Sequence, residues 1–131
     1  MSSGRRQKNR VNSTGRSTGE GKHVRLYRWV IESSAYRDLS CRSRCLLTEL
    51  YNLYNGMNNG ELFLSVRNGA ERIGASPNTT SKCFKELIDK GFIRPNQPGS
   101  FNWKGGAATT WILTEFEFNG EKATKDFMHR K

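Results

Sequence analysis

The stretch Ser65–Pro95 (SVRNGAERIGASPNTTSKCFKELIDKGFIRP) constrains this chain more than any other part of it. Ser65 is placed to cap a helix whose apolar positions, Val66, Ala70 and Ile73, fall at i, i+4 and i+7. Gly74 then stands where a helix end needs a left-handed residue. Only Ala75 separates it from Ser76, a second cap, and from Pro77, which loses nothing at a first helical position because that N–H has no intrahelical partner. The second helix is expected to bury Thr80, Phe84, Leu87 and Ile88 and to stop at Gly91. Two short helices joined by so tight a turn must cross steeply, which is the helix-turn-helix geometry. Ala70 is expected to face the second helix, where a large side chain would push the pair apart.

The flanking sequence extends the motif into a domain. Residues 24–31 (VRLYRWVI) are apolar-rich and too short for periodicity to separate a strand from a short helix. Residues 34–39 read as a single turn, and Ser40 as the cap of a helix over 41–55 carrying Cys45, Leu46, Leu47, Leu50, Tyr51, Leu53 and Tyr54 at helical spacing. Asn55-Gly56 and Asn58-Asn59-Gly60 are turn signals, and Glu61–Leu64 is a short strand candidate. After Gly91 the chain is extended from Phe92 to Asn96 and turns at Pro98-Gly99. Residues 100–104 and 109–114 then read as the arms of a hairpin with Gly105-Gly106 at or near its tip. Leu62–Leu64 is placed to complete a small sheet, and Asn119-Gly120 to make another turn. The tail, 123–128, is expected to pack back on the domain. Helix, strand, helix, helix, strand, strand is the order of a winged helix, so the fold class expected is α+β: a helical bundle with a small antiparallel β wing.

Charge divides the chain in two. The net charge is +10 over 131 residues. Residues 1–22 hold Arg5, Arg6, Lys8, Arg10, Arg16 and Lys22 against Glu20 alone, so half of that excess sits in about a sixth of the chain. Ten of those 22 residues are Ser, Thr or Gly. Such a segment cannot bury enough apolar surface to offset its ordering entropy. It reads as a disordered basic arm (1–22) ahead of a winged helix-turn-helix domain (23–131), with attraction to phosphate as its functional reading and a solubilising tail as the plain one.

From about residue 24 to 131 the sequence resembles small winged helix-turn-helix proteins of bacterial phages, plasmids and integrative elements. The resemblance lies in Ser34-Ala35-Tyr36 with Leu39, Tyr54-Asn55-Gly56 with Asn58-Asn59-Gly60, Leu64-Ser65 and Lys90-Gly91-Phe92-Ile93. It continues in Gly99-Ser100-Phe101 with Lys104, Ala108-Thr109 with Trp111 and Leu113-Thr114, and 123–127 (ATKDF). More distantly, the chain is similar to the winged helix domains of plasmid replication initiators and of GntR- and MarR-type regulators. The resemblance implies DNA binding without naming a target. Ile112 departs from it, because that position is mostly polar in the family.

In a helix-turn-helix the second helix enters the major groove with its N-terminal residues leading. With Phe84 pointing to the core, Asn78, Thr79, Lys82, Lys85, Glu86 and Asp89 point away, and Ser81 flanks them. Asn pairs with adenine at two points, Thr offers a methyl to thymine and Lys donates to guanine. Asn78, Thr79, Ser81 and Lys82 are therefore the expected base readers, and Lys85 a phosphate contact. Glu86 and Asp89 are expected to turn away from the DNA backbone. Ser65 and Arg67 are expected on phosphate at the start of the first helix. The wing would add Arg94, Asn102, Lys104 and Gly105, with Trp103 either stacked on a sugar or, as favoured here, in the core. Arg5, Arg6, Lys8, Arg10 and Arg16 of the arm would follow an adjacent groove.

Other function classes find little support. No run of about 18 apolar residues predicts a membrane span, and no apolar block follows the first basic residues as in a secretory signal. Cys41, Cys45 and Cys83 form no even framework and read as reduced thiols of a cytoplasmic, nucleoid-associated protein. Cys41 and Cys45, one helical turn apart, lack the further ligands of a structural zinc site; His23 and His129 read as chance histidines, and neither metal nor cofactor is expected. No nucleophile–base set or phosphate loop suggests an enzyme. The expected partner is double-stranded DNA, with a regulator of a phage or mobile element as the leading reading and a homodimer left open. An origin-binding replication protein is the near alternative. A winged helix protein-interaction module, acting on a host protein or nucleoprotein complex through Tyr36, Trp29 and Trp103, is the distant one.

Overall fold

The structure, a computed structural model, describes residues 21–96 and 110–129. It comprises helices α1 (Arg28–Ile31), α2 (Ser34–Arg37) and α3 (Cys41–Leu53), strand β1 (Leu62–Phe63), helices α4 (Val66–Ile73) and α5 (Pro77–Asp89), and strands β2 (Ile93–Pro95) and β3 (Thr110–Leu113). A 3-10 turn follows at Asp126–His129. The ambiguous segment 24–31 resolves as a short helix preceded by residues in neither helix nor strand.

The helix starts follow local chemistry. The hydroxyls of Ser33, Ser40, Ser65 and Ser76 accept the backbone N–H groups of Tyr36, Ser43, Asn68 and Thr79, respectively. Each such cap contributes about 1 kcal/mol. Gly74 closes α4 in the left-handed region (φ 70°), and Ala75 N–H bonds back to the Ala70 carbonyl. α3 ends at Leu53, two residues earlier than its apolar pattern suggests, because Tyr54 turns extended and Asn58 accepts the N–H of Asn55 while donating to the Leu53 carbonyl.

The strands form one antiparallel sheet in the order β1-β3-β2, with Leu62 opposite Trp111 and Ile93 opposite Leu113. α3 packs on α4 and α5, α5 packs on β2, and α2 meets the 3-10 turn. The core between helices and sheet contains Leu46, Leu47 and Leu50 of α3, Phe84 and Leu87 of α5, and Trp111 and Leu113 of β3, all essentially inaccessible. Phe84 and Trp111 stack at 5.1 Å, and the Trp111 indole N–H donates to the Leu64 carbonyl. Burying each such side chain stabilises the fold by about 1.5–3 kcal/mol. Cys45 and Leu53, placed on the apolar face of α3 by spacing, are exposed instead, whereas Cys83 is buried.

Close approach of α4 to α5 depends on Gly69. A Cβ at Gly69 would lie 3.2 Å from Leu46 Cδ1 and 3.3 Å from Thr80 Cγ2. Ala70, expected to face α5, is buried as well. The tail packs back as expected. Phe127 is inaccessible and stacks between Phe92, at 4.5 Å, and Trp29, at 5.9 Å. Its backbone passes so near Gly91 (φ 88°) that a Cβ there would come within 2.8 Å of Phe127 N. Gly91 thus serves both as a left-handed helix stop and as room for the tail.

Candidate nucleic-acid interface

The two faces of α5 differ sharply. Thr80, Cys83, Phe84 and Leu87 are buried, while Asn78, Lys82 and Lys85 are exposed and Thr79 and Ser81 half-buried. Asn78, Thr79, Ser81 and Lys82 lie in the first half of the helix, which Ser76 caps and Pro77 opens. On α4, Ser65 is half-buried and its hydroxyl is committed to the cap, whereas Arg67 is exposed.

Ion pairing sorts the cations of these helices. Arg72 is bound to Glu49 at 2.9 Å, so it ties α4 to α3. Lys85 pairs with Asp89 at 3.8 Å, one turn on, and Lys90 with Asp38 at 3.5 Å. Arg67 and Lys82 enter no ion pair among the described residues. Asp89 therefore stands beside Lys85, the expected phosphate contact.

Glu86 corrects its helical-wheel placement on the outward face. It is half-buried, and its carboxylate accepts the Ser40 N–H at 3.3 Å, the Ser40 hydroxyl at 3.0 Å and the Ser43 hydroxyl. A carboxylate at the first turn of α3 also meets the positive end of that helix dipole. The residue consequently belongs to the α3–α5 joint.

Of the expected wing contacts, Arg94 on β2 is half-buried and its guanidinium lies over the Phe118 ring at 5.8 Å. It stands opposite Ile112 on one face of the sheet. Ile112 is only 2% exposed, so that face is covered in this chain. The turn at Asn119-Gly120, with φ of 57° and 81°, returns the chain so that Phe118 pairs with Glu121. Asn102, Lys104, Gly105 and Trp103 lie outside the described residues, as do Arg5, Arg6, Lys8, Arg10 and Arg16.

Two long-range features escaped the sequence reading. Asn59, legible only as part of a turn, clamps the end of β3: its amide oxygen accepts the Leu113 N–H at 2.7 Å and its amide N–H₂ donates to the carbonyls of Leu113, Phe116 and Glu117. Glu115 is buried, and one of its oxygens accepts the Tyr51 hydroxyl. Burial pushes the Glu115 carboxyl above its ordinary range, against the opposing pull of the Tyr51 hydrogen bond and of Lys125. Burial, and then the Glu115 charge, pushes the Tyr51 phenol up as well. The one sequence signal for this pair is an acidic residue within a mostly apolar stretch, Trp111–Phe116.

Compared with known proteins, the chain matches no protein-family model, no curated protein and no solved structure. Among the described residues, no helix is long and apolar enough to cross a membrane.

Proposed function

We propose that this chain is a winged helix protein that binds double-stranded DNA in a sequence-specific way, as a transcriptional regulator of a phage or mobile element acting on the nucleoid. The observation that carries the reading is the exposed first half of α5, where Asn78 and Lys82 stand clear of the core with Thr79 and Ser81 beside them. Those residue types match the edges of adenine, guanine and thymine, and helix α5 is held rigidly from behind by Phe84 and Leu87. The order α3, β1, α4, α5, β2, β3 with sheet order β1-β3-β2 supports the winged helix assignment. Arg67 and Lys82, unpaired with any carboxylate among the described residues, supply charge where phosphates would lie.

The test is selection from a pool of random duplex DNA at physiological salt, followed by sequencing. A recovered motif is the expected result, and a palindromic one would add a two-fold dimer. Salt-sensitive retention without a motif would replace the reading by non-specific binding, and no retention would overturn it. One observation favours a second reading, a protein-interaction module: Val24, Leu26, Tyr27, Trp29 and Ile31 remain exposed within eight residues.

A further inference from the structure

Beyond the helices, the turn after β3 borders a cleft of about 640 Å³ between the end of α3 and the chain returning toward the tail. Its walls include Tyr54, Asn59, Glu115, Phe116, Lys122 and Lys125. Glu115 differs from the other charged residues there. It is 6% exposed, and Tyr51, on the core side, donates its hydroxyl to Oε1. Oε2 accepts no hydrogen bond from the described residues. Among those residues, the one side-chain polar atom that is both sealed and unbonded is Arg44 Nε, so Oε2 opens onto the cleft.

No cation comes within 4.0 Å of this carboxylate among the described residues. Lys125 acts on it through space, but its ammonium is drawn over the Trp29 ring, 5.0 Å from the centroid. Lys122, Lys125 and Glu117, the other charges on the cleft, are exposed and keep their hydration. The desolvated charge is the one that gains most from a partner, and it is negative. Beside it, Tyr54 and Phe116 stack at 4.2 Å and give the cleft an aromatic wall. Carboxylate and aromatic surface together are the recognition chemistry of an alkyl or aryl ammonium.

We propose that this cleft binds a small organic cation, whose ammonium pairs with Glu115 Oε2 while its hydrocarbon part lies against Tyr54 and Phe116. The site is independent of α5 and stands whether or not the chain binds DNA. Asn59 and Glu115 place it directly against the end of β3.

The probes are benzylammonium chloride, benzyl alcohol and sodium benzoate, titrated into the isotope-labelled full chain at neutral pH with amide shifts as the readout. Benzylammonium is expected to shift residues around 54–59 and 115–125 and to bind about tenfold more tightly than the alcohol or the benzoate. Equal binding of the three, or shifts elsewhere, would overturn the proposal. Glu115→Gln should remove the preference for the cation, while Glu71→Gln, at an exposed carboxylate of α4 away from the cleft, should keep it. Should Glu115→Gln fail to fold, the wild-type chain decides. Its affinity for benzylammonium must fall as acid protonates the Glu115 carboxyl, with Tyr51, Tyr54, Lys125, Lys122 and Glu117 as the other ionisable groups in reach. A flat profile from neutral pH into acid would sink the proposal as well.

Discussion

Glu86 on α5 and Ser40 at the start of α3 are joined by two hydrogen bonds, the carboxylate taking both the backbone N–H and the hydroxyl of a residue 46 positions earlier. Ser40 in turn caps its own helix through Ser43 N–H. The carboxylate therefore completes the N-terminus of one helix while fixing the rotation of another about its axis. This explains how an acidic residue can occupy the proposed recognition helix without facing phosphate. Glu86→Ala should lower stability by about 1–3 kcal/mol, the cost of unsatisfying charge-assisted bonds, and leave DNA affinity unchanged well below the melting temperature. Thermal unfolding and a binding titration on one preparation check it. Tighter DNA binding by the variant would mean that the carboxylate faces the duplex after all.

Lys82 and Lys85 lie on one exposed face but differ in their partners. Lys85 shares its charge with Asp89, whereas Lys82 has no ion pair among the described residues. Lys82→Ala should cost about 1–3 kcal/mol on a selected site and far less on random duplex. Lys85→Ala should weaken both by a similar, smaller factor. Equal losses for Lys82→Ala on the two DNAs would reassign it to phosphate.

The Gly69 contact sets the spacing of α4 and α5. Gly69→Val adds two methyl groups to a Cβ already within 3.2 Å of Leu46 and 3.3 Å of Thr80, so the helices must part. A destabilisation of about 1–3 kcal/mol is expected, as for other overpacked cores. Denaturant unfolding measures it directly. Wild-type stability would show that the helices meet elsewhere, and Ala70→Leu, the substitution that sequence spacing singles out, is the companion variant.

What could be read from the sequence was what residues do to their immediate neighbours. Ser40, Ser65 and Ser76 act on N–H groups three residues away, Gly74 and Gly91 on their own φ, and Pro77 on its own position. These fixed α3 to α5 to within two residues. Phe84 and Leu87 followed from helical periodicity and lie in the core, and the β propensity of 109–114 fell on β3. The features missed are long-range: Glu86 with Ser40, Asn59 with Leu113, and Tyr51 with Glu115 are 46, 54 and 64 residues apart. A polar residue reads as solvated until the fold brings it a partner, which is why a helical wheel sent Glu86 outward. Gly69 escaped for a related reason, because a missing side chain leaves no apolar mark in a helical pattern.

The basic arm is a prediction of charge alone. Its five arginine and lysine candidates, Arg5, Arg6, Lys8, Arg10 and Arg16, would each release counterions on meeting phosphate. Removing residues 1–22 should lower affinity and flatten the slope of log K against log salt by about 0.9 for each lost contact, with the selected motif unaltered. An identical slope would show that the arm takes no part in binding.

Glu115 makes stability depend on pH in a direction opposite to that of a salt-bridged carboxylate. Burial raises its folded-state pKa above the unfolded value, so the folded chain holds the proton more tightly. The contribution is fully present below the unfolded pKa and is lost as pH rises through the folded one. Wild type should thus gain stability relative to Glu115→Gln as the medium is acidified across that window, and lose the gain toward neutral pH. The comparison cancels the other carboxylates, which both proteins share. Tyr51 obeys the same sign at the alkaline end: burial and the nearby charge raise its phenol, so stability falls once the pH passes the unfolded tyrosine value. Urea titrations of the two proteins over a pH series measure the difference, and parallel curves would mean that Glu115 stays as hydrated in the folded chain as in the unfolded one.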